Sequence, residues 1–271
     1  MTFMQLDKKG AVFVLTLTNG DKDNTFNPDV LAEYHACLDQ IEADRSNASL
    51  LIVSSHPKTF CNGIDLPWLM TQDGEGFKDF VQKLEHMLLR IAVLDLPVIM
   101  AINGNCYAGG AIMASGADFR LMRADRGRFC YSEVNIKIPF TPVMTEIIRE
   151  LPDQQALKVL ALTGKAVGGQ EALQMKVADS IHTEEELLPA AMAQLRHPRG
   201  APDAGQRGPS GGVAAGDAGH AARVDGDAGQ RVDGVVGEFD LDAFGVHQRD
   251  VLLDEAGFRL GQDAAEVVLL Q

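Results

Sequence analysis

The sequence predicts an α/β protein of repeated β-β-α-like units, and three observations carry that prediction. Short β-branched and apolar runs alternate with segments whose apolar residues recur at helical spacing. Two of the runs lead directly into glycine-bearing turns that open helices. The alternation extends from residue 11 to about residue 196, a pattern expected of neither a helical bundle nor a β-sandwich.

The elements follow in order. AVFVLTLT, residues 11–18, reads as a strand that ends in the turn-forming stretch NGDKDN. Pro28 opens a helix in which Val30, Leu31, Tyr34, Leu38 and Ile41 share a face. SLLIVSS, residues 49–55, is a buried strand, and KTFCNGIDL after it is a glycine-containing loop with a helix starting near Asp65. A second helix runs from about Phe77 to Leu94, with Phe80, Leu84, Leu88 and Ile91 on one face. Pro97 then admits the strand VIMAIN, which enters the turn and helix of NGNCYAGGAIM. ADFRLMRA, residues 117–124, is a further strand, and RGRFCYSEVNIKIPF is a loop leading to a helix near Thr141. QALKVLALTG, GGQEALQMK and EEELLPAAMAQLR read as helices, with VADSI as a short strand among them.

At 271 residues the chain can bury one core of ordinary domain size. Its 46% apolar and 23% charged residues are those of a globular protein. A formal charge of -14 argues against a nucleic-acid or anionic membrane surface, both of which call for clustered Lys and Arg. Cys37, Cys61, Cys106 and Cys130 form no CxxC pair, so neither a metal site nor a compact disulfide framework is expected. No apolar run approaches the ~20 residues of a membrane span, and the amino terminus lacks the pattern of a signal peptide. Reduced thiols and a cytoplasmic location are the expectation.

The composition changes near His197. Residues 197–271 hold 14 glycines in 75 positions and no Lys, Ile, Met, Asn, Thr, Cys, Tyr or Trp. Two readings stay open for this Gly/Ala/Asp-rich segment: a poorly ordered low-complexity tail, or translation of a GC-rich gene in a shifted frame, which is the favoured one. The expected division is therefore a folded core over 1–196 and an atypical tail over 197–271.

FCNGIDL and NGNCYAGGAIM share a design in which a strand passes through a glycine turn into a helix. The first turn of a helix leaves backbone N–H groups without internal partners, so a negative oxygen can be held there without a cationic side chain. Gly63, Gly109 and Gly110 permit the close approach such a turn needs. The same glycines also suit plain packing of strand against helix, and spacing alone does not separate the two.

The residues resemble a family at this point. FCNGIDL is similar to the FSAGxDL segment of the enoyl-CoA hydratase/isomerase (crotonase) superfamily, and AINGNCYAGGAIM to its AxNGxAxGGG segment. YSEVNIKIPF resembles the family's glutamate-bearing PExxLGxxP segment, and LTGKAVGGQEALQMKVADSI its LTGxxxxAxEAxxxGLVDxV stretch. The four segments stand in the family's order across about 180 residues. Within the superfamily, SEVNIKIPF and NGIDLPW are closest to the single-glutamate Δ3,Δ2-enoyl-CoA isomerases, of plant peroxisomal type and their bacterial relatives.

The resemblance implies a crotonase-like spiral of β-β-α units that holds an acyl-CoA thioester between two turns. It places the amides of Asn62 and Gly109 at the thioester oxygen and makes Glu133 the catalytic base. Hydratases of the superfamily use a second glutamate where this chain has Ile112, which can neither position nor protonate a water. A single carboxylate therefore implies that a proton moves from C2 to C4. Ile64, Ile112 and Phe140 are expected to keep water from the base and raise its pKa. Cys61, Gly63, Asp65, Leu66, Trp68 and Gly110 are expected around the substrate, with Asp65 as a helix cap, and Phe26 and Asn27 on the adenine side of coenzyme A. Coenzyme A is part of the substrate, no other cofactor is implied, and the family's assembly is a homotrimer or dimer of trimers. Hydrolysis, decarboxylation or hydration on the same scaffold, and an inactive acyl-CoA-binding homologue, are the alternatives.

Overall fold

The computed structural model describes residues 2–44 and 48–195, together with the backbone of 251–254 and 257–260. The expectations for the tail lie outside the described residues, apart from strands Val251–Asp254 and Gly257–Leu260, which pair antiparallel with each other.

A strand that the sequence pattern did not announce, Met4–Lys9 (β1), precedes Val12–Leu17 (β2). The two form an antiparallel hairpin across Gly10, whose φ of 66° suits a residue without a Cβ. The charged MQLDKK stretch hides its strand character because it is a sheet edge, paired on one side only. Helix α1 (Pro28–Ala43) begins under the Asn27 cap, and β3 (Ser49–Ser54) follows.

Three β-β-α units come next. In the first, β3 passes to β4 (Thr59–Cys61) and then to α2 (Leu66–Leu69) and α3 (Gly74–Ala92). In the second, β5 (Val98–Ile102) passes to β6 (Asn105–Tyr107) and α4 (Gly109–Ser115). In the third, β7 (Phe119–Arg123) passes to β8 (Arg128–Cys130), a 3-10 turn at Glu133–Ile136 and α5 (Pro142–Ile148). The described core closes with α6 (Gln154–Thr163), β9 (Val167–Gly168), α7 (Gly169–Gln174), β10 (Ser180–His182) and α8 (Glu184–Leu195). The short strands β4, β6 and β8 correct the loops and turn expected there, and β9 was not announced, since runs of two or three residues carry no readable alternation.

Each unit contributes one strand to each of two sheets. The six-stranded sheet has the order β1-β2-β3-β5-β7-β10 and is parallel beyond the first pair. The four-stranded sheet has the order β4-β6-β8-β9, its first three strands parallel. The strands of the large sheet read as continuous apolar runs because both faces are covered. Phe13, Leu15, Leu50, Ile52, Met100 and Ile102 point into the main core, while Val12, Val14, Leu51, Ile99 and Ala101 pack with Leu187 and Ala191 of α8. Among the described residues no helix is long and apolar enough to cross a membrane.

Candidate active site

The parallel pairing of β4, β6 and β8 brings the three segments that follow them to one end of the small sheet. These are the 62–65 turn, the start of α4 and the segment carrying Glu133. The first two touch: a Cβ on Gly63 would lie 2.6 Å from the Gly109 nitrogen, and one on Gly110 would lie 2.4 Å from the Cys61 carbonyl oxygen. Gly63 also has a φ of 79°. Backbone meets backbone here at a distance that no larger residue allows.

The second and third segments are joined by hydrogen bonds. The Ala108 N–H donates to the Cys130 carbonyl at 3.0 Å. Behind it, the Ser115 hydroxyl of α4 and the Tyr131 hydroxyl lie 2.5 Å apart in the core. Ala108 takes a φ of 49° and a ψ of −128° to turn the chain into α4, a left-handed conformation that strains a residue with a Cβ.

Asn62 is a correction. Its N–H donates to the Asp23 carbonyl at 3.1 Å and is not available to a substrate oxygen. The Gly63 N–H faces the Cys61 sulfur at 3.5 Å. Next in the chain, Phe26 donates to the Gly63 carbonyl at 2.7 Å and accepts from the Asp65 N–H at 2.9 Å. Residues 63 and 65 thus face Phe26, and by the alternation of a strand the Ile64 N–H between them faces the other way. It has no acceptor among the described residues. The first-turn amides of Gly109 and Gly110 likewise have no helical partner, and Ala108 supplies no side-chain cap. The uncommitted donors this backbone offers are therefore the amides of Ile64, Gly109 and Gly110, and Gly109 among them is the one that the family motif places at the oxygen.

Glu133 opens the 3-10 turn and is only 7% exposed. Its Oε2 is buried without a hydrogen-bond partner among the described residues. Burial pushes the carboxyl from an ordinary 4.5 up to about 7, against a smaller opposing effect of its own backbone N–H. Tyr131 stacks edge-on against Phe140 at 5.8 Å, its own hydroxyl held protonated by burial. Ile112, on the turn of α4 after Gly109, is buried at 1% exposure.

The remaining expected site residues divide into two groups. Ile64, Leu66, Trp68 and Phe140 are partly buried against the main core, with Trp68 tilted on Phe80 at 4.8 Å. Asp65 caps α2 by accepting from the Trp68 N–H at 3.2 Å. The others are spent internally. Phe26 has no exposure, its ring meets Tyr34 at 5.9 Å, and both its backbone groups are bonded, which corrects its placement at coenzyme A. Asn27 uses its side chain to cap α1, accepting from the Val30 N–H at 3.0 Å. Cys61 is wholly buried, with its thiol pushed up to about 12 by burial and donating to the Asn24 carbonyl at 3.1 Å. Neither the Ile64 amide nor the Tyr131–Ser115 pair was identified from the sequence, because each depends on a partner distant in the chain.

Comparison with known proteins agrees with this architecture. A model of the enoyl-CoA hydratase/isomerase family matches residues 7–204, ending close to the change of composition near His197. The chain is 32% identical over 187 residues to enoyl-CoA delta isomerase 2, peroxisomal, of Arabidopsis thaliana, covering 67% of this chain and 78% of that protein. It is 33% identical over 179 residues to enoyl-CoA delta isomerase 3 of the same plant, covering 65% and 75%. Among solved structures, an enoyl-CoA hydratase/isomerase family protein from Pseudomonas syringae superposes with a TM-score of 0.66 at 27% identity, over 72% of this chain and 82% of that one. An enoyl-CoA hydratase from Bacillus anthracis has the same fold, with a TM-score of 0.66 at 22% identity over 72% and 75% of the two chains. The chain belongs to the enoyl-CoA hydratase/isomerase family.

Proposed function

We propose that this chain is a Δ3,Δ2-enoyl-CoA isomerase with Glu133 as its one acid–base group. The observation that carries the reading is a buried carboxylate with an unpartnered oxygen, on a segment tied to the start of α4 through the Ala108–Cys130 and Tyr131–Ser115 hydrogen bonds. The relatives named as enoyl-CoA delta isomerases support the same activity.

In this reading the Glu133 carboxylate takes a proton from C2 of a 3-enoyl thioester. The electron pair of that C–H bond moves to the carbonyl, and the oxygen becomes an enolate. Donors directed at that oxygen lower the barrier, and the N–H groups of Ile64 and Gly109 are the donors. The carboxylic acid then returns its proton to C4 as the enolate collapses, leaving the double bond between C2 and C3. One proton leaves and one arrives, so no co-reactant is needed. A pKa near 7 suits both halves, because the group must take a proton and give it back. Ile112 offers no second carboxylate to guide a water, which favours isomerisation over hydration.

Mixing the purified chain with a 3-enoyl-CoA and following the absorbance of the conjugated thioester tests the proposal. A rise in that absorbance that Glu133→Gln slows by about 100-fold or more supports it. Bound substrate without conversion contradicts it.

A further inference from the structure

We infer that the Asn62 carboxamide is a specificity-determining acceptor for an N–H group of the coenzyme A arm. The inference rests on the acyl-CoA reading above and assigns Asn62 a part in recognition that the proton transfer does not require.

Asn62 is held firmly by its backbone. Its N–H is bonded to Asp23 at 3.1 Å. On either side, Cys61 donates its thiol to the Asn24 carbonyl at 3.1 Å and accepts from the Gly63 N–H at 3.5 Å. Asn62 thus stands at the joint between the 23–26 loop and the turn that carries the Ile64 amide. The side chain has no such commitment. Its Oδ1 is buried and has no hydrogen-bond partner among the described residues.

A dehydrated carbonyl oxygen without a donor destabilises the free protein, and native structures leave few of them. An atom of this kind is accounted for when the donor arrives with the ligand. The chemistry of the proposed substrate then narrows the choice. The 3-enoyl chain presents only C–H bonds and the thioester only acceptors. The N–H donors of an acyl-CoA all belong to the coenzyme A arm, in two pantetheine amides and the adenine amino group. The alanine common at this position of FSAGxDL-type segments offers no side-chain acceptor, so this contact comes from the departure that the sequence shows.

Three 3-enoyl thioesters test the inference in the full-length chain: the CoA ester, the N-acetylcysteamine ester, which keeps only the first amide, and the S-propyl ester, which has no N–H. Asn62→Ala is expected to raise KM for the CoA ester about tenfold, the value of one hydrogen bond, and to leave the S-propyl ester within about twofold. Asn62→Asp, which keeps an oxygen acceptor, should recover most of the loss. The N-acetylcysteamine ester locates the donor, sharing the loss if it is the first amide and escaping it if it lies further along the arm. In the free protein Asn62→Ala should melt no lower than the native chain, because no internal hydrogen bond is removed. Calorimetric titration with acetyl-CoA provides a readout without turnover. If no isomerisation occurs at all, the proposed function fails, while about tenfold weaker acetyl-CoA binding by Asn62→Ala still upholds this assignment. Equal losses with the S-propyl ester, an unchanged acetyl-CoA affinity, or a lower melting temperature in the free variant would each overturn it.

Discussion

The backbone N–H of Ala108 donates to the Cys130 carbonyl at 3.0 Å, and this bond joins the two turns on which the proposed chemistry depends. One residue beyond Ala108 is the Gly109 amide, and three residues beyond Cys130 is Glu133. The proposed donor and base are thus set relative to each other by main chain, which side-chain substitution disturbs little.

Replacing Glu133 by glutamine removes the proposed base while keeping size and shape. The isomerisation rate should fall by about 100- to 10,000-fold, the usual contribution of a general acid–base group. Steady-state kinetics on the conjugating thioester measure it, and a loss of less than tenfold would argue for another base.

The same residue ties stability to pH. Its folded pKa, about 7, lies above the ordinary 4.5. Between those values the unfolded chain loses the proton first, so the folded state is progressively disfavoured as pH rises from about 4.5 to about 7. The full difference amounts to about 3 kcal/mol. Glu133→Gln, which never ionises, should match the native chain near pH 4 and exceed it in denaturant stability by up to about 3 kcal/mol at pH 8. Activity runs the opposite way: kcat/KM should rise through pH 7 as the carboxylate forms. A flat stability difference across this range would contradict the buried, unpartnered carboxyl.

Ala108 stores strain at the entrance to α4, with a φ of 49° and a ψ of −128°. Glycine adopts such angles at no steric cost, although it gives up about 0.5–1 kcal/mol of chain entropy. Since strain of this kind costs about 1–3 kcal/mol, Ala108→Gly should stabilise the protein by about 1 kcal/mol net. A rise of a few degrees in melting temperature is the expected readout, and a fall would show that the alanine is unstrained.

Tyr131→Phe removes the hydroxyl that meets Ser115 at 2.5 Å, while Ser115 keeps its bond to the Ala111 carbonyl at 2.8 Å. Stability should drop by about 1 kcal/mol, the net value of one internal hydrogen bond. Because Tyr131 also anchors the segment leading to Glu133, kcat should fall more than KM changes. Denaturant melts and kinetics on the same preparation separate the two effects.

Much of this was legible in the sequence, and the exceptions have a common cause. Helices α1 and α3 are written at 3.6-residue spacing in Val30, Leu31, Tyr34, Leu38 and Ile41, and in Phe80, Leu84, Leu88 and Ile91, all of which are buried. Asp65 and Thr141 announce the helices they cap. The short strands β4, β6 and β8 were not legible, because three residues cannot display a period and their partners lie 23 to 46 residues away. The donor pair shows the same limit. Among Asn62, Gly63 and Ile64, the amide left free is decided by Asp23 and Phe26, about 40 residues upstream, and no local pattern carries that information.

The central claim is that Glu133 moves a proton within one substrate. The most direct test follows a 3-enoyl-CoA deuterated at C2 through a single turnover and locates the label in the 2-enoyl product by mass spectrometry and NMR. The account predicts that a substantial share of the deuterium reappears at C4, carried by the buried carboxyl, and that Glu133→Gln forms product at least about 100-fold more slowly. A 2-enoyl product formed at the native rate by Glu133→Gln, or a hydrated product from the native chain, would contradict it.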